Sequence, residues 1–299
     1  MPRAAEVMRL DHDLRKALAV PQGSAADLSS RTSSGALLLA DKAAGKELHG
    51  FTTELAAAQE LLYAAGSAAV LVIFQGLDAA GKDGSIKHVM SGVNPQGCSV
   101  ASFKQPSQEE LSHDFLWRAA ARLPARGSIG IFNRSYYEDV LVVRVHPELL
   151  APQHLRAGAT PAESFWHHRF ADINAFESHL HRNGTKVVKF FLHLSRQEQR
   201  RRLLERLDDP AKHWKFSAAD LAERAYWDAY QAAYEDALTA TSTQRAPWYV
   251  IPADDKHVAR ALIAGLILHA IDELALNPPV PTPQQEAEIK AAKKRLRAE

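Results

Sequence analysis

The sequence predicts an α/β fold, a parallel sheet of five strands covered on both faces by helices. Three observations predict it. Apolar runs rich in β-branched residues recur along the chain at 69-AVLVIF-74, 98-CSVASF-103, 128-SIGIF-132, 186-KVVKFFLHL-194 and 247-PWYVI-251. Helical patterns separate them at 82–92, 108–123, 137–150, 162–182, 196–207, 217–240 and 255–274. Strands that alternate with helices of this length build βαβ units around a parallel sheet. The chain has 299 residues, 46% hydrophobic and 24% charged, enough to bury the core of one large domain.

Taken in order, residues 1–50 read as an N-terminal arm or helical extension, with a Ser-, Ala- and Gly-rich loop at 23–35. A helix over 52–65 leads into the first strand, and a main domain is expected over 51–275. The segment 258-VARALIAGLILHAI-271 is too short to span a membrane and contains Arg260 and His269, so it reads as a buried helix. Residues 276–299 form a tail, proline-rich at 277-NPPVPTPQQ-285 and then a charged helix or a frayed end. The 36 Lys and Arg balance 35 Asp and Glu for a net charge of +1. No global field therefore favours nucleic acid or a membrane surface, and attraction for a polyanion must come from local clustering. The single cysteine, Cys98, excludes an internal disulfide and, with no signal-peptide pattern at the N-terminus, points to the cytoplasm. A homo-oligomer, dimer or tetramer, is expected. The apolar segments 137–150 and 258–271 are either its surface or part of the core.

The first strand runs into a glycine-punctuated turn and then a helix: 70-VLVIFQGLDAAGKDGS-85. Gly76, Gly81 and Lys82 match the phosphate-loop pattern G-x-x-x-x-G-K-[ST], but Asp83 stands where a hydroxyl would hold Mg²⁺. Glycines let the backbone turn so that successive N–H groups, here through Ala79, Ala80, Gly81, Asp83 and Gly84, point at an anion. Lys82 would neutralise its oxygens. Two carboxylates in such a loop repel bare phosphate but attract Mg²⁺, with Mn²⁺ a possible substitute. Asp78 reads as a metal ligand or as the base orienting an attacking oxygen. Asp83 reads as a metal ligand or as an acid stabilised by the helix dipole alone.

Two further constellations belong to the same crevice, because ligands of open α/β sheets bind at the carboxyl ends of strands. In 128-SIGIFNRSYYEDVLVVR-144 the strand ends at Asn133 and Arg134, with Glu138 and Asp139 close behind. Arg134 suits bidentate phosphate binding or pairs with Glu138. In 196-RQEQRRRLLERLDDPAKHWKFS-217 a dense basic helix breaks at Pro210 and restarts at Ser217, with Asp220 at the capping-box position. Arg202, Arg206, Lys212 and Lys215 make this either a lid over phosphates, about 205–220, or a solvated charged face.

Together, G-L-D-A-A-G-K-D-G, I-F-N-R-S-Y-Y-E-D-V-L-V-V-R-V-H and R-L-D-D-P-A-K-H-W-K-F-S resemble the polyphosphate kinase type 2 family, over roughly residues 51–274. The resemblance implies a P-loop kinase-like, three-layer α/β/α fold with a helical lid. It implies Mg²⁺-dependent transfer of a phosphoryl group between inorganic polyphosphate and adenine or guanine nucleotides. Asp78 and Lys82 match the family's loop acid and lysine. Asn133 and Arg134 match its second motif, which in many members reads Asp-Arg-Ser, and the Asn weakens any metal role there. The Y-Y-E-D continuation is similar to the subgroup that phosphorylates both nucleoside mono- and diphosphates, with Glu138 and Asp139 on the acceptor or metal side. Lys87 is a candidate for the polyphosphate chain, Lys104 and Arg118 for the nucleotide. Two rivals stand beside this reading. An ATP-dependent nucleoside-monophosphate kinase would keep Ser or Thr after the lysine. A non-catalytic polyphosphate- or nucleotide-binding regulator would bind without turnover.

Overall fold

In the computed structural model of the chain the five strands form one parallel sheet ordered β2-β3-β1-β4-β5. The strands are β1 (Ala69–Gln75), β2 (Cys98–Ser102), β3 (Ile129–Asn133), β4 (Thr185–His193) and β5 (Trp248–Pro252). The structure describes residues 9–153 except 37, 39 and 40, together with 155 and 163–299. β1 is central. It pairs with β3 from Val70↔Ile129 to Phe74↔Asn133 and with β4 from Ala69↔Thr185 to Gln75↔Phe191. The chain leaves β1 toward β2 on one side and leaves β3 toward β4 on the other. The carboxyl ends of β1 and β3 therefore flank a crevice, the place where such sheets bind ligands.

Alternation along β1 divides the core into two layers although all seven of its residues are buried. Val70, Val72 and Phe74 pack against Phe51, Leu55 and Leu62 of the helix Asp41–Ala65 and against Leu262, Ile263 and Leu266 of the helix Lys256–Asp272. Leu71 and Ile73 pack on the other face with Phe132, Phe170, Tyr234 and Trp248. The apolar segment 258–271 thus belongs to the chain's own core, as a buried helix. The helix Asp41–Ala65 is longer than expected and runs across position 50. The loop before it is strapped down. Asp27 and Leu28 donate backbone N–H groups to the Glu235 carboxylate (2.6 and 2.8 Å), and Ala19 bridges Tyr249 on the edge strand β5.

Three helices expected from the sequence are broken in the structure. The span 137–150 becomes a 3-10 turn Tyr136–Val140, a short helix Val142–Val145 and a 3-10 stretch Pro147–Gln153. Its aromatic and β-branched residues are weak helix formers, and both tyrosine hydroxyls are drawn to the buried Glu177 carboxylate (2.9 and 2.8 Å). The span 108–123 becomes two four-residue helices, Gln108–Leu111 and Trp117–Ala120. The span 217–240 becomes Ala218–Glu223, a 3-10 turn Arg224–Tyr226 and the helix Trp227–Thr241. The tail ends in a helix, Pro283–Leu296, whose residues are all exposed. No described helix is long and apolar enough to cross a membrane.

Candidate active site

The phosphate loop has the backbone its glycines predict. Gly76 has φ +152°, and an added Cβ would lie 3.1 Å from Leu192. Gly81, with φ +104°, caps the helix Lys82–Val89. Ala79 and, at the end of β3, Arg134 both sit at φ +64°, a conformation that costs a non-glycine residue energy and clusters at functional sites.

Asp78, Lys82, Asp83, Asn133, Arg134 and Glu138 meet around this loop. Arg134 spans two carboxylates, 2.7 Å to Asp78 Oδ1 and 3.0 Å to Glu138 Oε2, and Glu138 chiefly raises its pKa. The two readings of Arg134 are therefore not exclusive: it pairs with Glu138 while facing the loop. Asn133 Nδ2 donates to Asp83 Oδ1 (2.7 Å). The usual P-loop pairing of a loop hydroxyl with a strand-end Asp is reversed here, with the carboxylate on the loop and the neutral amide on the strand. Lys82 is buried and donates to the carbonyls of Gly76 (2.5 Å) and Leu77 (3.2 Å). Burial, then the Arg134 charge, pull its pKa down to about 8.

Other expected residues lie elsewhere. Asp139 is buried and faces away from the loop, accepting from Gln153 (2.9 Å) beside Arg169 and Arg118. It is held as a structural acid, its pKa raised by burial, so its side chain is committed to that network rather than offered to a metal at the loop. Among the described residues no three His, Cys, Asp or Glu side chains are gathered to hold a metal ion. Arg118 is also buried, bonded to the Lys104 carbonyl (2.8 Å), while the Lys104 side chain is exposed. With Phe115, Phe165 and Arg169, Arg118 lines a cavity of about 230 Å³. Lys87 is exposed on the last turn of the loop helix.

The segment expected as a lid folds as the helix Arg196–Asp208, a 3-10 turn Pro210–Lys215 and the helix Ala218–Glu223. Its basic residues divide. Lys212 and Lys215 are exposed, Lys212 paired with Asp209 (2.8 Å) and Lys215 over the Trp214 ring. Arg206 pairs with Asp220 (2.8 Å), so Asp220 closes an ion pair rather than the expected capping box. Arg202 is buried behind the loop, bonded to the carbonyls of Ala79 (3.1 Å) and Ala80 (3.0 Å). Its guanidinium is spent on these carbonyls, those of Ala253 and Asp254, and the Glu198 carboxylate, and does not face the crevice. Sequence reasoning missed Gln199, Glu223, Arg224, Tyr230 and Tyr234, which enclose a small pocket with Asp78, Arg134 and Glu138. No local pattern marks them. They come from helices far along the chain that fold over the loop.

The family described as Polyphosphate kinase 2 matches residues 39–277. The chain belongs to the polyphosphate kinase 2 family. It is 55% identical over 238 residues to the ADP-polyphosphate phosphotransferase of Rhodopseudomonas palustris, covering 80% of this chain and 82% of that protein. It is 48% identical over 228 residues to the AMP/ADP-polyphosphate phosphotransferase of Meiothermus ruber, covering 76% and 81%. The crystal structure of Polyphosphate Kinase 2 from Arthrobacter aurescens superposes with a TM-score of 0.86 at 39% identity, over 97% of this chain and all of that one.

Proposed function

We propose that this polyphosphate kinase 2 family member transfers the terminal phosphoryl group of inorganic polyphosphate to AMP and ADP, reversibly. The observation that carries the reading is the lysine-bearing phosphate loop whose own carboxylate, Asp78, is bridged to the end of β3 by Arg134. The relatives named above act on polyphosphate with ADP or with AMP and ADP.

An oxygen of the acceptor's terminal phosphate forms the new bond to phosphorus as the bridging P–O bond of polyphosphate breaks, leaving a chain shorter by one unit. The work of the protein is positioning and charge neutralisation. Lys82 leaves its loop carbonyls for the phosphate oxygens, and Arg134 holds the transferred group beside Asp78. The lid, with Arg206, excludes water. The acceptor nucleoside fits the cavity beside Arg118, Phe115 and Phe165.

Asp78 and Asp83 are the residues that would hold Mg²⁺, or Mn²⁺ in its place. They are hard oxygen donors of which the structure engages only one oxygen each, and Mg²⁺ in phosphoryl-transfer sites takes one or two carboxylates and completes its shell with phosphate oxygens and water. When bound it would neutralise negative charge on the phosphates. A dimer or tetramer and a cytoplasmic location complete the proposal.

The test is incubation of the purified protein with Mg²⁺, long-chain polyphosphate and either AMP or ADP, without ATP, followed by chromatography of the nucleotides. ATP from ADP, together with ADP and ATP from AMP, is the expected result. Product from ADP alone removes the AMP activity. Turnover only with ATP as donor overturns the reading.

A further inference from the structure

Every carbonyl of the phosphate loop between Gly76 and Ala80 is occupied. Gly76 and Leu77 accept from Lys82 Nζ (2.5 and 3.2 Å). Asp78 accepts from Gln199 Nε2 (2.9 Å). Ala79 and Ala80 accept from Arg202 Nη1 (3.1 and 3.0 Å). A peptide's C=O and N–H point in opposite directions. Holding the Asp78 and Ala80 carbonyls outward therefore leaves the N–H groups of Ala79 and Gly81 for phosphate, while the Ala80 N–H closes on the Leu77 carbonyl (3.1 Å). The two lid residues keep three partial negative charges out of its path when Lys82 leaves the other two carbonyls.

Two of the three donors lie outside the loop, on the lid's first helix, and both are deeply buried. Gln199 is 3% and Arg202 6% exposed. Arg202 uses all five of its N–H groups. Besides the two loop carbonyls it reaches Ala253 O (2.6 Å), Asp254 O (3.0 Å) and Glu198 Oε1 (2.7 Å). A buried guanidinium is retained when each donor is matched, and a lysine cannot reproduce that fork. Gln199 accepts at its other end from Arg224 Nη1 (2.5 Å), and Arg224 opens the 3-10 turn that ends the lid. The bonds Arg224 to Gln199 to the Asp78 carbonyl thus join the far end of the lid to the residue proposed to orient the reacting phosphate.

We propose that Gln199 and Arg202 are positioning residues for phosphoryl transfer. They shape the loop by holding its carbonyls away from the donor phosphates, and through Arg224 they make that shape depend on the position of the lid. This rests on the reading that the loop receives polyphosphate.

The experiment measures kcat and KM separately for polyphosphate and ADP, with circular-dichroism melting, in Gln199→Leu, Arg202→Lys, Arg224→Met and the double variant Gln199→Leu/Arg224→Met. The expected result for Gln199→Leu and Arg202→Lys is a kcat about ten- to a hundredfold lower and a raised KM for polyphosphate. The KM for ADP stays within about twofold and the melt stays cooperative. The double variant is no slower than its slower parent, because both changes break one chain of bonds. Wild-type kinetics in Gln199→Leu overturn the proposal. So does a kcat loss that matches lost folded protein with both KM values unchanged, and multiplied losses in the double variant overturn the lid link. A raised KM for ADP instead of polyphosphate upholds the carbonyl clamp and overturns the placement of polyphosphate on the loop. Should Arg202→Lys fail to fold, Gln199→Leu carries the test.

Discussion

Lys82 is the residue on which binding and burial conflict. A phosphate needs its charge, yet the free loop buries it among carbonyls, and burial with the nearby Arg134 charge lowers its pKa to about 8. Between about 8 and the ordinary lysine value of 10.5 the unfolded chain holds the proton more firmly than the native one. Stability from this residue therefore rises with pH across that window, while the charged form is disfavoured below it. Urea unfolding from pH 7.5 to 10 should show wild type gaining on Lys82→Met. Over the same range the KM for polyphosphate should rise, because the free enzyme loses the cation that the substrate needs. Lys82→Ala and Asp78→Asn proteins that fold normally should lose turnover by orders of magnitude, and near-normal rates in either would remove that residue from the mechanism. Both residues were legible in the sequence, because a strand, a glycine turn and a helix in succession leave little freedom in where they point. Arg202 was not. It stands among four other basic residues over 196–206, and helix register alone does not say which of them turns inward.

At the scale of elements the lid shows how composition misleads. Its basic run reads as an open hand of cations, but three of the four expected residues are engaged in ion pairs or backbone bonds. Arg206 and Asp220, each about four-fifths buried, join the lid's first helix to its second. Such a partly exposed pair contributes at most about 1 kcal/mol to stability. Arg206→Ala should accordingly leave urea unfolding almost unchanged, while kcat falls about tenfold or more through loss of lid closure and of a cation near the transferred charge. Equal losses in stability and rate would make the pair structural only. The segment 137–150 misled in the other direction. Its apolar spacing suits a helix, but Tyr136 and Tyr137 reach Glu177 only from a tighter turn. That turn also places Glu138 toward Arg134 and Asp139 toward Arg169.

At the scale of the molecule, a buried ion pair anchors the layer beneath the site. Lys189 of β4 and Glu177 of the helix Glu163–Arg182 are 2.6 Å apart and almost without exposure. Lys189 also donates to Tyr137 Oη (3.0 Å) and to the Thr241 carbonyl (2.7 Å). Removing one partner strands a charge in the core, so Lys189→Met or Glu177→Leu should cost about 3–5 kcal/mol in denaturant unfolding. The double variant Lys189→Met/Glu177→Leu should recover much of that loss. A double variant as unstable as the sum of its parents would mean that the tyrosine and Thr241 bonds, not the charge pair, hold this layer.

The sequence by itself determined the strands, the parallel sheet, the glycine-punctuated loop with its lysine and two carboxylates, and the basic helical segment after β4. These follow from local periodicity and from glycine geometry, which act over a few residues. Only the tertiary structure decided which basic and acidic residues face the crevice. It buried Arg202 behind the loop, gave Asp139 to Arg169 and Gln153, and brought Gln199 to Asp78 across 121 residues of chain and Arg224 to Gln199 across 25. Those outcomes depend on which buried donors find acceptors when distant helices pack. A buried charge left without them costs more than any local preference can supply.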